Sequence, residues 1–576
     1  MNLDRRSCLA IAAACLAMLL AIPPLAAARD AYVTGTNESS SPPVPPPLAG
    51  PYVARVDLNS QATQEEVGMP EGGEGAPPDI AITPDGKTAY VVNGASEKLV
   101  PINIATTPVA AETAIPLNTP FAIAITPDGT RAYVTELFGN DIAEVNLASR
   151  TVTGSIPVGN SPNAIAITPD GSRAYVVNQA DNDVSVVDLT TKTVIATIPV
   201  GESPDAIAIT PNGSRAYVAN SSSANVSVID VTTNTVVATI PTSGLSQSIA
   251  ITPNGSRAYE VNLFAEAIPI DTAANTAAAA IPVPGFLQDV SIAPDGSHAY
   301  VTGESPDGLT PINVASNTPG ARLEIVKRPG AIAIVPNQPP HAAFTASPAP
   351  AKAGEAVGFN ASATSDPDSN LPIGRYEWNF GDGTTVASGG AKPQHTYAQP
   401  GTYQVTLTAT DGEGCSTQIV FTGQTAYCNG SGVARVTHPV VVAGLNVCSG
   451  TKASASTFIP KRRPGNVVPG VRVKISTAVP SKVTVTATAL YWQSGKQASA
   501  QLGKITATIK HWRQVRFAIP PELRTALPLG APLRVQVRIE SEPTGGPPCE
   551  AAVATRVLKV HVVKVFPNRV QFERSR

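Results

Sequence analysis

The sequence has few charged and few aromatic residues. Of its 576 residues, 14% are Asp, Glu, Lys or Arg and 5% are Phe, Trp or Tyr, whereas soluble domains average about 25% charged residues. The low share of charge excludes a long coiled coil, which needs Glu and Lys around a heptad of Leu. Only one long apolar run is present, which excludes a protein with several membrane-spanning helices.

The chain also lacks the usual signatures of catalysis. It contains no G-x-S-x-G, H-E-x-x-H or phosphate-loop motif, and each of these motifs supplies a nucleophile, a metal site or a phosphate cradle. Residues 31–338 contain one histidine, His298, although catalytic zinc and haem iron are normally held by histidines. We therefore predict no catalytic residue.

The first 28 residues have the features of a secretory signal peptide. Arg5 and Arg6 precede an apolar run over residues 8–22, and Ala26 and Ala28 fit a cleavage site after residue 28. The run is short for a membrane span of about 20 residues, although an uncleaved anchor is the alternative. We expect a secreted or cell-surface protein.

Four cysteines follow the predicted signal peptide. In an exported chain they indicate two disulfides, and we predict the pairs Cys415–Cys428 and Cys448–Cys549. A zinc site made of the same four residues is the alternative, but the sequence has no C-x2-C pair among them.

A repeat of about 42 residues fills residues 31–338. The run A-I-A-I-T-P-D-G-S-R-A-Y-V recurs, and its proline steps along the chain by 41 to 43 residues, at Pro84, Pro127, Pro169, Pro211, Pro253, Pro294 and Pro336. Each unit contains four short β-patterns separated by turns rich in Pro, Asn, Asp and Gly. Four strands in about 42 residues are typical of a propeller blade.

The two ends of the repeat region complement each other. Tyr32 lies in an A-Y-V run with no I-A-I-T-P run before it, while residues 331–336 form that run with no A-Y-V after it. We therefore predict seven blades, with the first blade shared between the two ends so that the ring has no open edge.

The copies of R-A-Y-V-V-N, as at residues 173–178, resemble the YVTN family of β-propeller repeats. That family occurs in bacterial and archaeal secreted and surface-layer proteins. The resemblance covers residues 31–338 and implies a binding or surface role. Related seven-bladed rings include lactonases.

One face of the predicted propeller varies between copies and is our candidate ligand-binding face. It carries the residues that start the innermost strands: Phe121, Asn163, Asp205, Gln247, Gln288 and Asp289. Polar groups around a channel mouth can bind a polar ligand. The alternative is that these residues belong to ordinary solvated loops. A lactonase-like hydrolase would use the carboxylates of Asp79, Glu136, Asp205 and Asp289.

Residues 339–445 resemble a PKD domain, an immunoglobulin-like β-sandwich. The resemblance rests on W-N-F-G-D-G at 378–383 and on H-T-Y and G-T-Y at 395–397 and 401–403. In some relatives a loop like the one with Asp366, Asp368 and Asn370 binds calcium, although three ligands are few for that ion. No other cofactor is expected.

We expect the segment between Cys415 and Cys428 to form a hairpin that stiffens the exit to the next module.

Residues 446–576 show period-two alternation, which predicts a third β-sandwich. Residues 450–576 hold 21 basic and 5 acidic residues, a net charge of +16, whereas residues 31–338 hold 12 basic and 29 acidic residues, a net charge of −17. The candidate polyanion-binding residues are Lys461, Arg462, Arg463, Arg472, Lys474, Arg534 and Arg538. Contact with the acidic part of the same chain is the alternative.

These observations favour an all-β, non-catalytic protein of the cell envelope that acts in adhesion or as a scaffold. Envelope polysaccharide or surface proteins are the expected partners. Nucleic acid is physically possible as a polyanion but is disfavoured by export.

Overall fold

The computed structural model describes residues 30–37, 50–69, 76–324, 326–368, 372–424 and 426–443, and strands within residues 452–573. By contacts, the chain separates into two compact units. The first contains residues 1–345, 360–393 and 405–438, and the second contains residues 346–359, 394–404 and 439–576.

Seven small antiparallel sheets make up most of the first unit, and each sheet is one blade of a propeller. Blade 1 consists of β1 (Asp30–Asn37), β2 (Gly50–Asp57) and β3 (Ala62–Gly68), with β30 (Ile332–Ile334) as its innermost strand. Blade 2 consists of β4 (Asp79–Ile82), β5 (Thr88–Asn93), β6 (Lys98–Asn103), β7 (Ala110–Ala111) and β8 (Ile115–Pro116). Blade 3 consists of β9 (Pro120–Ile125), β10 (Arg131–Glu136), β11 (Asp141–Asn146) and β12 (Thr151–Pro157).

The remaining blades follow in chain order. Blade 4 consists of β13 (Pro162–Ile167), β14 (Arg173–Asn178), β15 (Asp183–Asp188) and β16 (Thr193–Pro199). Blade 5 consists of β17 (Pro204–Ile209), β18 (Arg215–Asn220), β19 (Asn225–Asp230) and β20 (Thr235–Pro241). Blade 6 consists of β21 (Ser246–Ile251), β22 (Arg257–Asn262), β23 (Glu266–Asp271), β24 (Thr276–Ala277) and β25 (Ile281–Pro282). Blade 7 consists of β26 (Phe286–Ile292), β27 (His298–Glu304), β28 (Gly308–Asn313) and β29 (Thr318–Pro319).

The predicted closure of the ring is confirmed. Strand β30 comes from the far end of the repeat and pairs antiparallel with β1, with Ala31 opposite Ile334 and Val33 opposite Ile332. Blade 1 is therefore built from both ends of the propeller. Because a sheet edge left open would expose unpaired backbone groups, this exchange removes the weakest point of a ring.

The turn after each innermost strand explains why Pro, Asp or Asn, and Gly recur there. In blade 4, the Thr168 hydroxyl and the Ser172 amide both donate hydrogen bonds to Asp170 Oδ1, at 2.5 and 3.0 Å. Gly171 has a φ of +70°, a conformation that glycine adopts without steric penalty. These turns define the turn face of the propeller. The opposite face, where the innermost strands begin, is called the mouth face.

The tyrosine hydroxyl of the A-Y-V run reaches the next blade in blades 2, 4, 5 and 6, whereas the Tyr133 hydroxyl donates to Glu144 Oε1 within blade 3. The hydroxyl of Tyr175 donates to Asn234 Oδ1 at 2.6 Å, and the hydroxyl of Tyr217 donates to Asn275 Oδ1 at 3.0 Å and to the Thr272 carbonyl at 3.1 Å. Both asparagines have a φ near +54° in the turn between the two outer strands. The repeat therefore encodes a polar contact between blades beneath the apolar packing.

The strands of residues 339–443 fall in both units. They are β31 (Thr345–Ser347), β32 (Ala351–Lys352), β33 (Ala356–Asn360), β34 (Arg375–Asn379), β35 (Thr385–Val386), β36 (Gln394–Thr396), β37 (Gly401–Thr410), β38 (Val420–Phe421), β39 (Ala426–Cys428) and β40 (Arg435–Ala443). In the first unit, Trp378 is fully buried, and its ring lies 5.2 Å from Phe344 and 6.2 Å from Phe380. This is the core role expected for a sandwich tryptophan.

The C-terminal part of the second unit forms two antiparallel sheets. One contains β41 (Lys452–Phe458), β42 (Gly470–Ser476) and β45 (Trp512–Ala518). The other contains β43 (Ser481–Gln493), β44 (Lys496–Ile509), β46 (Pro532–Pro543), β47 (Ala552–Phe566) and β48 (Arg569–Glu573). Helical structure in the described residues is limited to two single turns, Gly94–Ser96 and Gly432–Ala434. Within that part of the chain, no helix has the length and apolar character needed to cross a membrane.

The contacts between blades predict unequal effects of removing two equivalent hydroxyl groups. Tyr217→Phe should lower the free energy of unfolding by about 1–2 kcal/mol, because it leaves two acceptors without their donor. Tyr300→Phe is the matched control, since the hydroxyl of Tyr300 makes no hydrogen bond to the described residues, and we expect a change below about 0.5 kcal/mol. Denaturant unfolding of the two variants checks this, and equal losses would contradict it.

Candidate ligand site in the propeller channel

Two half-buried aspartates join innermost strands of neighbouring blades across the channel wall. Asp79 in blade 2 accepts hydrogen bonds from the amides of Ile80 and, in blade 3, Ile123, both at 2.8 Å. Asp289 in blade 7 accepts from the amide of Ile332 in blade 1 at 2.9 Å and from the Ser248 hydroxyl in blade 6 at 2.6 Å. Each carboxylate thus satisfies a backbone N–H at the inner edge of the next blade.

A third carboxylate lies in an amide-rich cluster. Asp205 Oδ1 accepts a hydrogen bond from Asn163 Nδ2 at 2.8 Å and another from Gln179 Nε2. Asn163 Nδ2 also donates to the Pro204 carbonyl at 3.2 Å. Blades 4 and 5 are therefore joined by polar side chains at the same level of the channel.

Burial makes these carboxyl groups weak acids. It raises the pKa of Asp79 to about 8, and the nearby negative charge of Asp289 adds to the rise. Burial also raises the pKa values of Asp289 and Asp205, while their hydrogen-bond donors oppose the shift. At neutral pH, Asp79 therefore carries its proton for most of the time.

A hairpin formed by β38 and β39 enters the channel from the turn face. The carbonyls of Gly423 and Thr422 accept hydrogen bonds from the amides of Ile167 and Ile209, each at 2.9 Å. The Tyr427 hydroxyl donates to the Ile251 carbonyl at 2.7 Å. Since these isoleucines end the innermost strands of blades 4, 5 and 6, the hairpin binds three consecutive blades.

Apolar packing holds the same hairpin in place. Phe421 and Ala426, each 1% exposed, pack in a cluster with Ile165 and Ile167, and Tyr427, 3% exposed, packs in a cluster with side chains of blades 6 and 7. The Cys415–Cys428 disulfide brackets the hairpin, with a Cα–Cα distance of 5.3 Å, as the sequence analysis expects. The hairpin thus lies inside the propeller, and we had expected it at the exit towards the next module.

The hairpin leaves a cavity of about 460 Å³ on the mouth side of the channel. All six predicted propeller residues line it: Phe121, Asn163, Asp205, Gln247, Gln288 and Asp289. Asp79 also lines it, and Thr422, Gln424 and Tyr427 come from the hairpin. Glu136, the fourth carboxylate of the lactonase hypothesis, is not among the lining residues and instead accepts a hydrogen bond from the Asn118 amide.

The contribution of the hairpin to the lining of the channel was not predicted from the sequence. Residues 419–422 are largely apolar although they lie within a cysteine-bracketed loop. This apolar run was the available signal, because an exposed loop has no need of buried side chains. The position of the hairpin in the channel, more than 170 residues after its partner Ile251, could not be inferred from sequence spacing.

The other predicted sites are only partly described. Lys461, Arg462, Arg463, Cys448, Cys549 and Asn370 lie outside the described residues. Arg472 and Lys474 are two positions apart in β42, and Arg534 and Arg538 are four positions apart in β46. By strand periodicity, each pair lies on one face of its strand. Polyanion binding at these positions stays a prediction.

The calcium hypothesis also stays a prediction. Asp368 Oδ2 accepts a hydrogen bond from the Gln338 amide at 2.7 Å, and Asp366 accepts one from the Asp368 amide at 3.3 Å. Burial and the neighbouring carboxylate of Asp368 raise the pKa of Asp366 to about 7. Among the described residues, no group of three or more His, Cys, Asp or Glu side chains is arranged to hold a metal ion.

Comparisons with known proteins agree with this architecture. The PKD domain family model matches residues 337–424, and the model of the lactonase family of 7-bladed β-propellers matches residues 142–239. The chain is thus an all-β protein with a seven-bladed propeller and a PKD domain. Each family model covers less than a fifth of the chain.

Relatives share only parts of the chain. A microbial collagenase from Vibrio alginolyticus is 34% identical over 112 residues, which are 19% of this chain and 11% of the collagenase; the chain therefore spans about a tenth of that relative. Hydrazine synthase from Kuenenia stuttgartiensis has 26% identity and a TM-score of 0.34, over 42% of this chain and 74% of that chain. A functionally unknown protein from Desulfotomaculum acetoxidans has 15% identity and a TM-score of 0.46, over 53% and 98%.

The hairpin contact predicts that Gly423 tolerates no side chain. A Cβ at this position would lie 2.7 Å from the Cβ of Ala166, and the φ of Gly423 is +111°. Gly423→Ala should therefore lower the free energy of unfolding by about 2–4 kcal/mol, through both overpacking and backbone strain.

Gly414→Ala is the matched control for this variant. Gly414 precedes the same hairpin and has a φ of +99°, but a Cβ there would meet nothing within 4 Å. Its replacement should destabilise by about 1 kcal/mol through the backbone alone. Equal losses for the two variants in denaturant unfolding would show that the hairpin does not pack on blade 4.

The raised pKa of Asp79 predicts a pH-dependent contribution to stability. The folded protein retains a proton up to about pH 8, whereas the unfolded chain releases it near pH 4. The stabilising contribution of Asp79 to the free energy of unfolding is therefore fully present below about pH 4, and it is lost as the pH rises towards 8. Asp79→Asn, which has no proton to lose, should reduce the fall in Tm between pH 5 and pH 8.

Asp188→Asn serves as the control for this pH series. The Asp188 carboxylate accepts turn amides that lower its pKa, so it stays ionised throughout this pH range. Asn146 occupies the equivalent position in blade 3 and caps its turn in the same way. A Tm profile for Asp79→Asn parallel to that of the wild-type protein would contradict the assignment of the proton to Asp79.

Proposed function

We propose that the protein is an exported, non-catalytic binding protein of the cell envelope. In this proposal the propeller presents a ligand site at its mouth face, and the basic C-terminal module contacts polyanions. The PKD domain, the propeller and the disulfide all support an extracellular, adhesion-like role. The secretory signal and the location at the cell envelope belong to the proposal.

The observation that carries the binding role is the structure of the channel. The hairpin binds the turn-face ends of the innermost strands of blades 4, 5 and 6 and lines the cavity, and amide and carboxylate groups from several blades converge on its mouth side. A polar cavity of this size, walled by fixed side chains, suits a small ligand or a projecting side chain of a larger one. The partners we propose for the whole protein are envelope polysaccharide and surface proteins.

The match to the lactonase family supports a second candidate, a hydrolase acting on lactones. The geometry favours binding over this alternative. Asp79 and Asp289 each accept two backbone amides in addition to any side-chain donor, and a general base needs a lone pair directed at its substrate. Hydrolysis of sugar lactones that is lost in an Asp205→Asn, Asp289→Asn double variant would favour the hydrolase.

The polyanion role predicts salt-sensitive retention on envelope material. Mature protein (29–576) should co-sediment with purified envelope at low salt and be released as salt rises, because screening acts over about 10 Å at 0.1 M. A full-length variant with Gln at the seven basic candidate positions, which include Lys461 and Arg472, should not be retained. Sedimentation across a salt series measures this.

A second variant controls for the general loss of positive charge. Lys352 and Lys392 are exposed in the PKD domain, and their replacement by Gln should leave retention unchanged. If the wild-type protein and the variant with seven substitutions are retained alike, or if neither is retained, the basic module does not anchor the protein.

A further inference from the structure

Exposed phenylalanine side chains are concentrated on the mouth face of the propeller. Among the described side chains, all exposed phenylalanines lie there: Phe138 is 77% exposed, Phe264 64%, Phe286 56% and Phe121 37%. Phe138 and Phe264 lie in the loops between the second and third strands of blades 3 and 6. Phe121 and Phe286 lie at the start of the innermost strands of blades 3 and 7. Blades 3, 6 and 7 therefore display these rings on the mouth face, and Phe121 also lines the cavity.

The two most exposed rings are carried by loops with fixed backbones. The Phe138 amide donates to Thr119 Oγ1 at 3.2 Å, and the Phe264 amide donates to Asn262 Oδ1 at 2.9 Å. Blades 3 and 6 are three positions apart in a ring of seven, so these rings lie on roughly opposite sides of the mouth. A ligand that touches both must span the opening.

The other blades show that the fold does not require these aromatic side chains. The position of Phe138 is occupied by Ala180 in blade 4 and by Ser222 in blade 5, and both blades have the same four strands. Aromatic side chains are enriched at protein interfaces, so exposed rings that the strands of a blade do not need are candidates for contact with a partner. The rings therefore have a role outside the folding of their own blades.

The net charge of the mouth face indicates which sign of charge its partner carries. Its loops and strand ends carry acidic residues from most blades: Glu97, Asp141, Asp181, Glu202, Asp205, Glu266, Glu304 and Asp307. The described basic residues there are Lys98, Arg322, Lys327 and Arg328. Arg322 donates to four backbone carbonyls, and Arg328 lies 3.9 Å from Glu304. The field at the mouth therefore attracts cations and repels polyanions.

We propose that the mouth face binds a basic segment of a partner polypeptide. Lysine and arginine side chains would stack on the exposed phenylalanine rings, and one of them would enter the cavity beside Asp205. Cation–π contacts and carboxylates act together on such a segment. A neutral glycan would gain hydrogen bonds but no charge attraction from the carboxylates, and an anionic one would be repelled. The inference rests on the proposed binding function and names its partner at this face.

The test uses full-length mature protein and fluorescence anisotropy of labelled peptides. The probe is a 16-residue peptide that repeats Lys-Ser-Arg-Gly, and the comparison peptide has Glu at every basic position. We expect the basic peptide to bind at low salt and the acidic peptide not to bind. The double variant Phe138→Ala, Phe264→Ser, which carries residue types found in the neighbouring blades, should weaken binding roughly tenfold.

Two further variants complete the design. Asp205→Asn, which introduces the residue type that blade 4 has at Asn163, should also weaken binding of the basic peptide. Val194→Ala with Val236→Ala, on exposed positions of outer strands β16 and β20, should leave binding unchanged. The Tm of each variant shows that the propeller remains folded.

Three outcomes would overturn the proposal. The basic peptide does not bind, or it binds equally well to the phenylalanine variant. Alternatively, the full-length protein self-associates at low salt and loses this in the phenylalanine variant, which would identify the basic module of a second copy as the occupant. Envelope sedimentation of the same variants separates the two proposals, because retention without peptide binding leaves the envelope role standing.

Discussion

The innermost strand of each blade has one edge that no other strand covers, and the structure depends on how the backbone groups of that edge are satisfied. Seven such edges face the channel. Buried amide groups without partners destabilise a fold by about 1–3 kcal/mol each. Asp79 and Asp289 satisfy amides of the following blades, and the hairpin carbonyls satisfy those of Ile167 and Ile209. The inner ring is therefore held by side chains and by an inserted segment as well as by apolar packing.

This arrangement makes part of the PKD region a structural component of the propeller. Phe421 and Tyr427 pack in the same apolar clusters as the blades, and the disulfide at Cys415 and Cys428 closes the base of the hairpin. A crosslink across a short loop mainly restricts the unfolded chain, so the hairpin can be inserted without a large loss of chain entropy. The functional consequence is a channel cavity whose lining includes Thr422, Gln424 and Tyr427 of the hairpin.

The sequence predicted the features that repeat and missed those that occur once. Seven prolines at a steady spacing and the complementary runs at Tyr32 and residues 331–336 were enough for the blades and the closure, because each blade follows the same local rules. Five of the six mouth residues were found because they occupy one position of the repeat, and Asp289 lies one residue further along. The hairpin has no counterpart in the repeat, and its contact with Ile251 depends on tertiary packing. The bonds of Asp79 and Asp289 to amides of the next blade were missed for the same reason, since carboxylates that bridge strands and carboxylates that bind ligands look alike in a sequence.

Comparison of equivalent positions in the seven blades distinguishes residues that the fold needs from residues that only some blades carry. Positions that keep their residue type, such as the buried tyrosines and the Pro-Asp-Gly turns, serve the fold: the tyrosine rings are buried in every blade, and in blades 4, 5 and 6 their hydroxyls bond the next blade. Positions whose residue type differs between blades, while the strands stay the same, are not needed for these shared contacts. Phe138 in blade 3, against Ala180 and Ser222 in its neighbours, is such a position, and so is Asp205 against Asn163 and Gln247. The same strands form with either residue, so the fold does not require the Phe138 ring, and binding at the mouth is the role that we propose for it. Asp205 accepts hydrogen bonds from Asn163 and Gln179 inside the propeller.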